Sequence, residues 1–155
     1  MSLLDLKMSN TDLHKTSSID QCKIIDFGKH HHPNGNLSVA ENRDLVPFDI
    51  KRVFYIYDVP GGEERGGHSH KSLQQVIIAI SGAFDVLLDD GVNQRNVTLN
   101  RPYLGLLVTP GVWSKEHNFS SGSVCLVLAS DHYDESDYVR NYDEFKLLTS
   151  NKTSE

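Results

Sequence analysis

Long apolar runs are missing from this 155-residue chain: nowhere do 18 apolar residues follow one another, so no segment reads as a membrane-spanning helix. Cysteine is scarce. Cys22 and Cys125 are too few for a disulfide scaffold, and Cys125, inside the apolar run 123–128, reads as a buried free thiol. Basic residues do not dominate: the formal charge is −6 at pH 7, which argues against a nucleic-acid or anionic-membrane surface. The N-terminus lacks the basic-then-apolar layout of a signal peptide. These absences lead to the expectation of a cytoplasmic protein with no nucleic-acid partner and no membrane. Repeats and low-complexity tracts are absent as well. What remains, 38% hydrophobic and 23% charged residues, is ordinary for one soluble domain with a core.

The organisation follows from short β-rich runs. Residues 1–20 are polar and without a sustained period, and are expected as a flexible extension; a single domain is expected over 21–148, and a flexible tail over 149–155. Strands are predicted over 22–27, 37–41, 50–57, 75–80, 83–88, 96–99, 104–109 and 124–129, with a loop over 30–36 marked by proline and Asn-Gly. Asp89-Asp90-Gly91 reads as a hairpin turn. Period-two alternation puts Val53, Tyr55 and Tyr57 on one face of their strand and Arg52, Phe54 and Ile56 on the other. Tyr138, Tyr142 and Phe145 fall at i, i+4 and i+7, which predicts an amphipathic helix over 134–148. The pattern is that of an all-β sandwich or barrel with a terminal helix.

The chemistry concentrates at Gly62-Glu-Glu-Arg65-Gly66-Gly67-His68-Ser69-His70. Two histidines at i and i+2 on an extended segment point to the same side. With Gly62 before them and Gln75 and Gly82 after, the spacing resembles the first signature of the cupin family, except that Gln75 stands where a metal-binding cupin has glutamate. The second cupin signature would end in histidine. Here the comparable stretch runs from Pro110 to Lys115, and His117 is out of register. A neutral amide and a cation make poor metal sites, so no metal is expected. The histidine pair remains suited to acid–base work, since imidazole titrates near neutrality. Tyr55 on a neighbouring strand is a candidate donor to a developing enolate oxygen. Arg52 and Arg65 are candidate clamps for a phosphate or, equally, surface ion-pair partners. Two readings stand for Trp113, the only tryptophan: a stacking surface for a sugar or base, or a packing residue. The run His30-His31-His32 reads as a solvated loop.

Several further stretches carry a more specific likeness. Residues 50–59, Arg65-Gly-Gly-His-Ser-His-Lys71, Phe84-Asp-Val-Leu-Leu-Asp-Asp-Gly91 and residues 128–145 resemble, in order, the sugar-nucleotide 3,4-ketoisomerases, the WxcM-like (FdtA-like) cupins. The resemblance runs from about residue 23 to residue 148. It implies a cupin jelly roll (double-stranded β-helix) with a short C-terminal helix, working as a homodimer with strand exchange. It implies a dTDP-linked keto-deoxysugar as substrate, whose carbonyl moves from C4 to C3 through an enediol without a cofactor. His70 is then the principal acid–base group and His68 its partner, with Tyr55 as a third catalytic residue. Arg52, Arg65, Gln75, Trp113 and His117 would line the substrate. Ser114, Lys115 and Glu116 depart from the family's usual residues after the tryptophan. Two alternatives are carried: a 3,5-epimerase, disfavoured because no aspartate lies close to the histidines in sequence to assist a His base, and a non-catalytic sugar-nucleotide-binding cupin. A metal-dependent oxygenase fits least.

Overall fold

A computed structural model describes residues 12–152. Short strands dominate because the chain alternates β-branched and aromatic residues with polar ones and breaks at glycine-containing turns. The elements are α1 (Asp12–Thr16), β1 (Ile24–Asp26), β2 (His30–His32), β3 (Gly35–Leu37), β4 (Arg52–Tyr57), β5 (Arg65–His70), β6 (Gln75–Ser81), β7 (Phe84–Asp89), β8 (Gln94–Leu99), β9 (Leu104–Val108), β10 (Trp113–His117), β11 (Val124–Ala129), β12 (Tyr138–Val139) and α2 (Tyr142–Leu148). One five-stranded sheet has the order β1-β9-β6-β11-β4, and a second has the order β12-β5-β10-β7-β8. Every pairing within them is antiparallel. The two sheets enclose a core between their inner faces, and the fold is a jelly roll.

Period two sorts each strand between inside and outside. Ile77, Ala79, Val86, Leu88, Leu99, Leu106, Cys125 and Val127 fill the space between the sheets. Val76, Ile78 and Leu128 point the other way, where Phe27, Val46 and Phe48 cover the first sheet. Trp113, Val139 and Phe145 form a third cluster on the outer face of the second sheet, beneath α2. One end of the interior is polar, and the histidines project there.

The strand expectations over 50–57, 75–80, 83–88, 96–99, 104–109 and 124–129 correspond to β4, β6, β7, β8, β9 and β11. The hairpin at 89–91 forms: Asp90 Oδ1 accepts from the amides of Val92 and Asn93, and Gly91 adopts φ +90°. Other expectations need correction. The predicted loop at 30–36 is a small hairpin of β2 and β3, and the strand expected over 37–41 ends at Leu37. The helix expected over 134–148 is only α2. Asn141 caps it by accepting from the Glu144 amide, and the preceding residues extend to pair β12 with β5.

Of the expected flexible extension, residues 1–11 lie outside the described residues. Residues 12–21 carry α1 and a capped 3-10 turn packed on the domain, with His14 and Ile19 buried. The expected tail also begins as packed chain. Thr149 is buried against Gly91, and the Lys152 ammonium donates to the Ser17 carbonyl and the Asp90 carbonyl, at 2.9 and 2.8 Å. Residues 153–155 lie outside the described residues.

Phe145 is fully buried, with ring centroids 5.5 Å from Trp113 and 6.0 Å from His14. Truncating it leaves a cavity between α2, α1 and the sheet. We expect Phe145→Ala to cost about 3–5 kcal/mol in denaturant unfolding; a loss below about 1 kcal/mol would mean the cluster is not a packed core.

Candidate active site

His68 and His70 are brought to the inner face of β5 by strand alternation, as Ser69 between them faces outward. Their rings meet edge to face, with centroids 4.8 Å apart. The third ring of the cluster is Tyr138, directly opposite His70 in the β12–β5 register. Its centroid lies 4.4 Å from that of His70 and 4.9 Å from that of His68. From the facing sheet come Arg52 and Gln75. Both sit opposite Ala129, one on each side of β11, so they share one row of the inner face. Arg52 Nη2 reaches the Tyr138 hydroxyl at 3.5 Å, and its buried Nε has no hydrogen-bond partner among the described residues.

His70 is held by Asp137. The imidazole Nδ1 lies 3.0 Å from Asp137 Oδ2, while Oδ1 accepts from the Ser72 amide at 2.8 Å and the Ser72 hydroxyl at 2.7 Å. Burial opposes ionisation of Asp137, but the His70 and Ser72 hydrogen bonds outweigh it and keep the carboxyl below its usual range. An ionised Asp137 accepts from Nδ1–H, which leaves Nε2 of His70 as the free basic nitrogen. His68 differs. Burial, then the neighbouring His70 and Arg140, push its pKa down to about 3, and its Nδ1 has no hydrogen-bond partner among the described residues. It is a neutral imidazole at physiological pH, fit to hydrogen-bond rather than to carry the mobile charge.

These positions correct part of the expected site. Tyr55 projects from the outer face of β4, opposite to Arg52, and is 62% exposed. Alternation separates the two residues, so within one chain Tyr55 does not join the histidines; Tyr138 occupies the place expected of it. Arg65 lies at the far end of β5 from His70 and lines a groove of roughly 370 Å³ with Tyr55 and Asp58. Trp113 faces outward into the α2 cluster and is nearly buried, so it is a packing residue. His117 shares that outward face and pairs with Asn96 Oδ1 at 2.8 Å. Lys115 also points outward, to Glu64 at 3.1 Å, so it does not oppose a metal from inside. The inward residues of β10 are Ser114 and Glu116, which sit opposite Leu88 and Val86. Among the described residues no group of three histidine, cysteine, aspartate or glutamate side chains is arranged to hold a metal ion.

Sequence reasoning missed Tyr138, Asp137 and Glu116. Asp137 and Tyr138 lie some 67 residues beyond His70. Their only local signal is an Asp-rich stretch before a helix cap, and the helical spacing of Tyr138 misdirected it. Asp137 also removes the argument raised against a 3,5-epimerase, because a His base with an Asp partner is present. A mainly apolar cavity of roughly 480 Å³ lies elsewhere, on the outer face of the first sheet against Ile78, Leu126 and Leu128. It holds neither histidine.

A family model described as FdtA: WxcM-like, C-terminal matches residues 20–150. The chain belongs to this WxcM-like family. It is 49% identical over 124 residues to TDP-4-oxo-6-deoxy-alpha-D-glucose-3,4-oxoisomerase of Aneurinibacillus thermoaerophilus, covering 80% of this chain and 89% of that one. The WlaRB TDP-quinovose 3,4-ketoisomerase from Campylobacter jejuni is 46% identical with a TM-score of 0.79, covering 83% of this chain and 99% of that one. A mutant of the 3,4-ketoisomerase QdtA from Thermoanaerobacterium thermosaccharolyticum, in complex with TDP-4-keto-6-deoxyglucose, is 39% identical with a TM-score of 0.81, covering 86% and 97%. The WxcM-like resemblance read from the motifs is therefore membership.

Glu116 gives the site a measurable signature. It is buried under Gly66, whose φ of +72° and missing side chain leave room for the carboxylate; a Cβ there would lie 2.1 Å from Glu116 Oε2. Burial raises its pKa from 4.5 to about 7, against the pull of a backbone hydrogen bond and of Arg65. A carboxyl with a raised folded pKa contributes stability that is present below the unfolded value and lost as pH rises through the folded one. Glu116→Gln removes that loss. The variant should match the wild type near pH 4 and exceed it above pH 8 by about 3 kcal/mol. Parallel stability curves across that range would show that Glu116 does not titrate there.

Proposed function

We propose that this chain is a sugar-nucleotide 3,4-ketoisomerase that moves the carbonyl of a dTDP-4-keto-6-deoxyhexose from C4 to C3. The observation that carries this reading is the His70–Asp137 pair set against Tyr138, His68 and Arg52 in one largely buried polar cluster. The reaction asks for such a set. A ketone at C4 acidifies the C3 proton, so a base with a free ring nitrogen is needed. His70 Nε2 takes that proton, and Asp137 stabilises the imidazolium formed. The enediolate spread over C3 and C4 requires donors near its oxygens, which the Tyr138 hydroxyl, Arg52 and neutral His68 supply. The imidazolium, whose N–H proton exchanges with solvent, then delivers a proton to C4, the former carbonyl oxygen is protonated, and the C3 hydroxyl loses its proton. The carbonyl has moved with no change in overall oxidation state, which is why the donors need no redox cofactor. Arg52, with its free buried Nε, is the diphosphate or sugar clamp. Gln75, neutral and inward-facing, is a hydrogen-bonding residue for the sugar.

The experiment is proton NMR of the purified protein with dTDP-4-keto-6-deoxyglucose in D2O. A 3-keto sugar with deuterium at C4 is expected, at a rate unchanged by a chelator. Exchange at C3 and C5 with the ketone still at C4 would assign a 3,5-epimerase instead. In the same assay His70→Asn should lower turnover by about 10²–10⁴-fold with binding of the nucleotide retained; turnover at the wild-type rate would remove His70 from the mechanism.

The assembly that suits this reading is a homodimer with strand exchange. Edge strand β4 carries Val53, Tyr55 and Tyr57 exposed on its outer face, and the apolar cavity on the same sheet is open. Monomeric proteins rarely leave such a stripe uncovered. Light scattering after size exclusion should give twice the chain mass of 17.4 kDa, and a monomeric mass would contradict the assembly.

A further inference from the structure

The segment ahead of the matched family region, which begins at residue 20, contacts the reactive strand from behind. On the ketoisomerase reading above, we infer that His14 of α1 is a positioning residue for His70. His14 is fully buried, and its Nε2 lies 2.8 Å from Ser69 Oγ. Ser69 is also fully buried, and it is the residue between His68 and His70 on the opposite face of β5. A hydrogen bond at that hydroxyl fixes the backbone that aims both imidazoles.

A second contact from the same segment reaches His70 by another route. The Gly111 amide donates to the His70 carbonyl at 2.8 Å, and the Gly111 carbonyl accepts from Ser17 Oγ at 3.0 Å. Gly111 has φ +82°, and a Cβ there would lie 2.6 Å from the Leu13 carbonyl oxygen, so the segment is seated directly on this turn. Lys152 holds Ser17 from the other side, at 2.9 Å from both its carbonyl and its hydroxyl. The two contacts flank His70, one at the residue before it and one at its own carbonyl.

His14 does this as a neutral ring. Burial, then Lys152 and Lys71, lower its pKa to about 4, with Asp137 opposing. Its Nδ1 has no hydrogen-bond partner among the described residues, so Ser69 is its one side-chain hydrogen bond. Burying an imidazole for a single bond is costly compared with burying a hydrocarbon of the same size, unless the bond serves the strand it reaches.

The test uses full-length His14→Phe, which fills the space without a hydrogen bond, and His14→Gln, whose amide nitrogen reaches where Nε2 was. His70 is followed by its imidazole NMR titration in the unliganded protein, beside kcat and KM. In His14→Phe we expect the His70 midpoint to move and kcat to fall about ten-fold with little change in KM, as a small misplacement of a reacting group would cause. His14→Gln should restore both. An unchanged His70 titration and kcat in His14→Phe, even with a shifted Tm, would overturn the inference and leave His14 a packing residue. Absence of isomerase activity in the wild type would overturn the ketoisomerase reading instead, while the His70 titration still decides the role of His14.

Discussion

One carboxylate ties the reactive end of the jelly roll together. Asp137 accepts from the His70 imidazole, from the Ser72 hydroxyl and amide and, at 3.3 Å, from the Leu73 amide. These donors span the end of β5 and the turn that follows it. Because Asp137 is fixed there, the next residue, Tyr138, pairs opposite His70 and places its ring against both histidines. The chain then turns through Asn141 into α2, and Phe145 closes over Trp113. The histidine cluster and the outer packing cluster thus descend from one half-buried anion.

The interior is divided electrostatically. One end is apolar, where Phe84, Leu88, Leu99 and Val127 pack. The other holds the His70–Asp137 pair, a neutral histidine, an arginine whose Nε has no partner among the described residues and an uncharged glutamine. Desolvation separates the two imidazoles by role: it drives His68 to the neutral state, while His70 has an anion at hand. That difference suits a reaction in which one group carries a proton between adjacent carbons and the others steady the oxygens. Glu116 lies further along the same inner face, and Arg65 touches it electrostatically from the distant end of β5.

Much of this was legible in the sequence, and the failures have physical causes. Alternation alone puts His68 with His70, and Arg52 with Phe54 and Ile56, on one face of their strands, and the structure turns those faces inward. The same alternation keeps Tyr55 away from the cluster that holds Arg52 within one chain, so the chemical role assigned to Tyr55 conflicted with its own strand. Trp113 and His117 were chosen for chemistry, but their parity on β10 turns them outward, while Ser114 and Glu116 turn inward. Tyr138 obeyed a helical period with Tyr142 and Phe145, yet strand pairing with β5 outweighs propensity there. Asp137 was invisible because only tertiary folding brings it to His70. His14 was invisible because a polar, aperiodic segment gives no sign that it will be buried.

The central claim is that Asp137 makes His70 the base. The direct measurement is the pH profile of kcat/KM for Asp137→Asn beside the wild type, with the Tm of each. In Asp137→Asn kcat should fall by about 10²-fold or more at every pH, with the acid limb moved to lower pH because the imidazolium has lost its anion. KM should change little, and the folded state should persist. A variant with wild-type kcat and an unmoved acid limb would contradict the account and assign the proton transfer to another group.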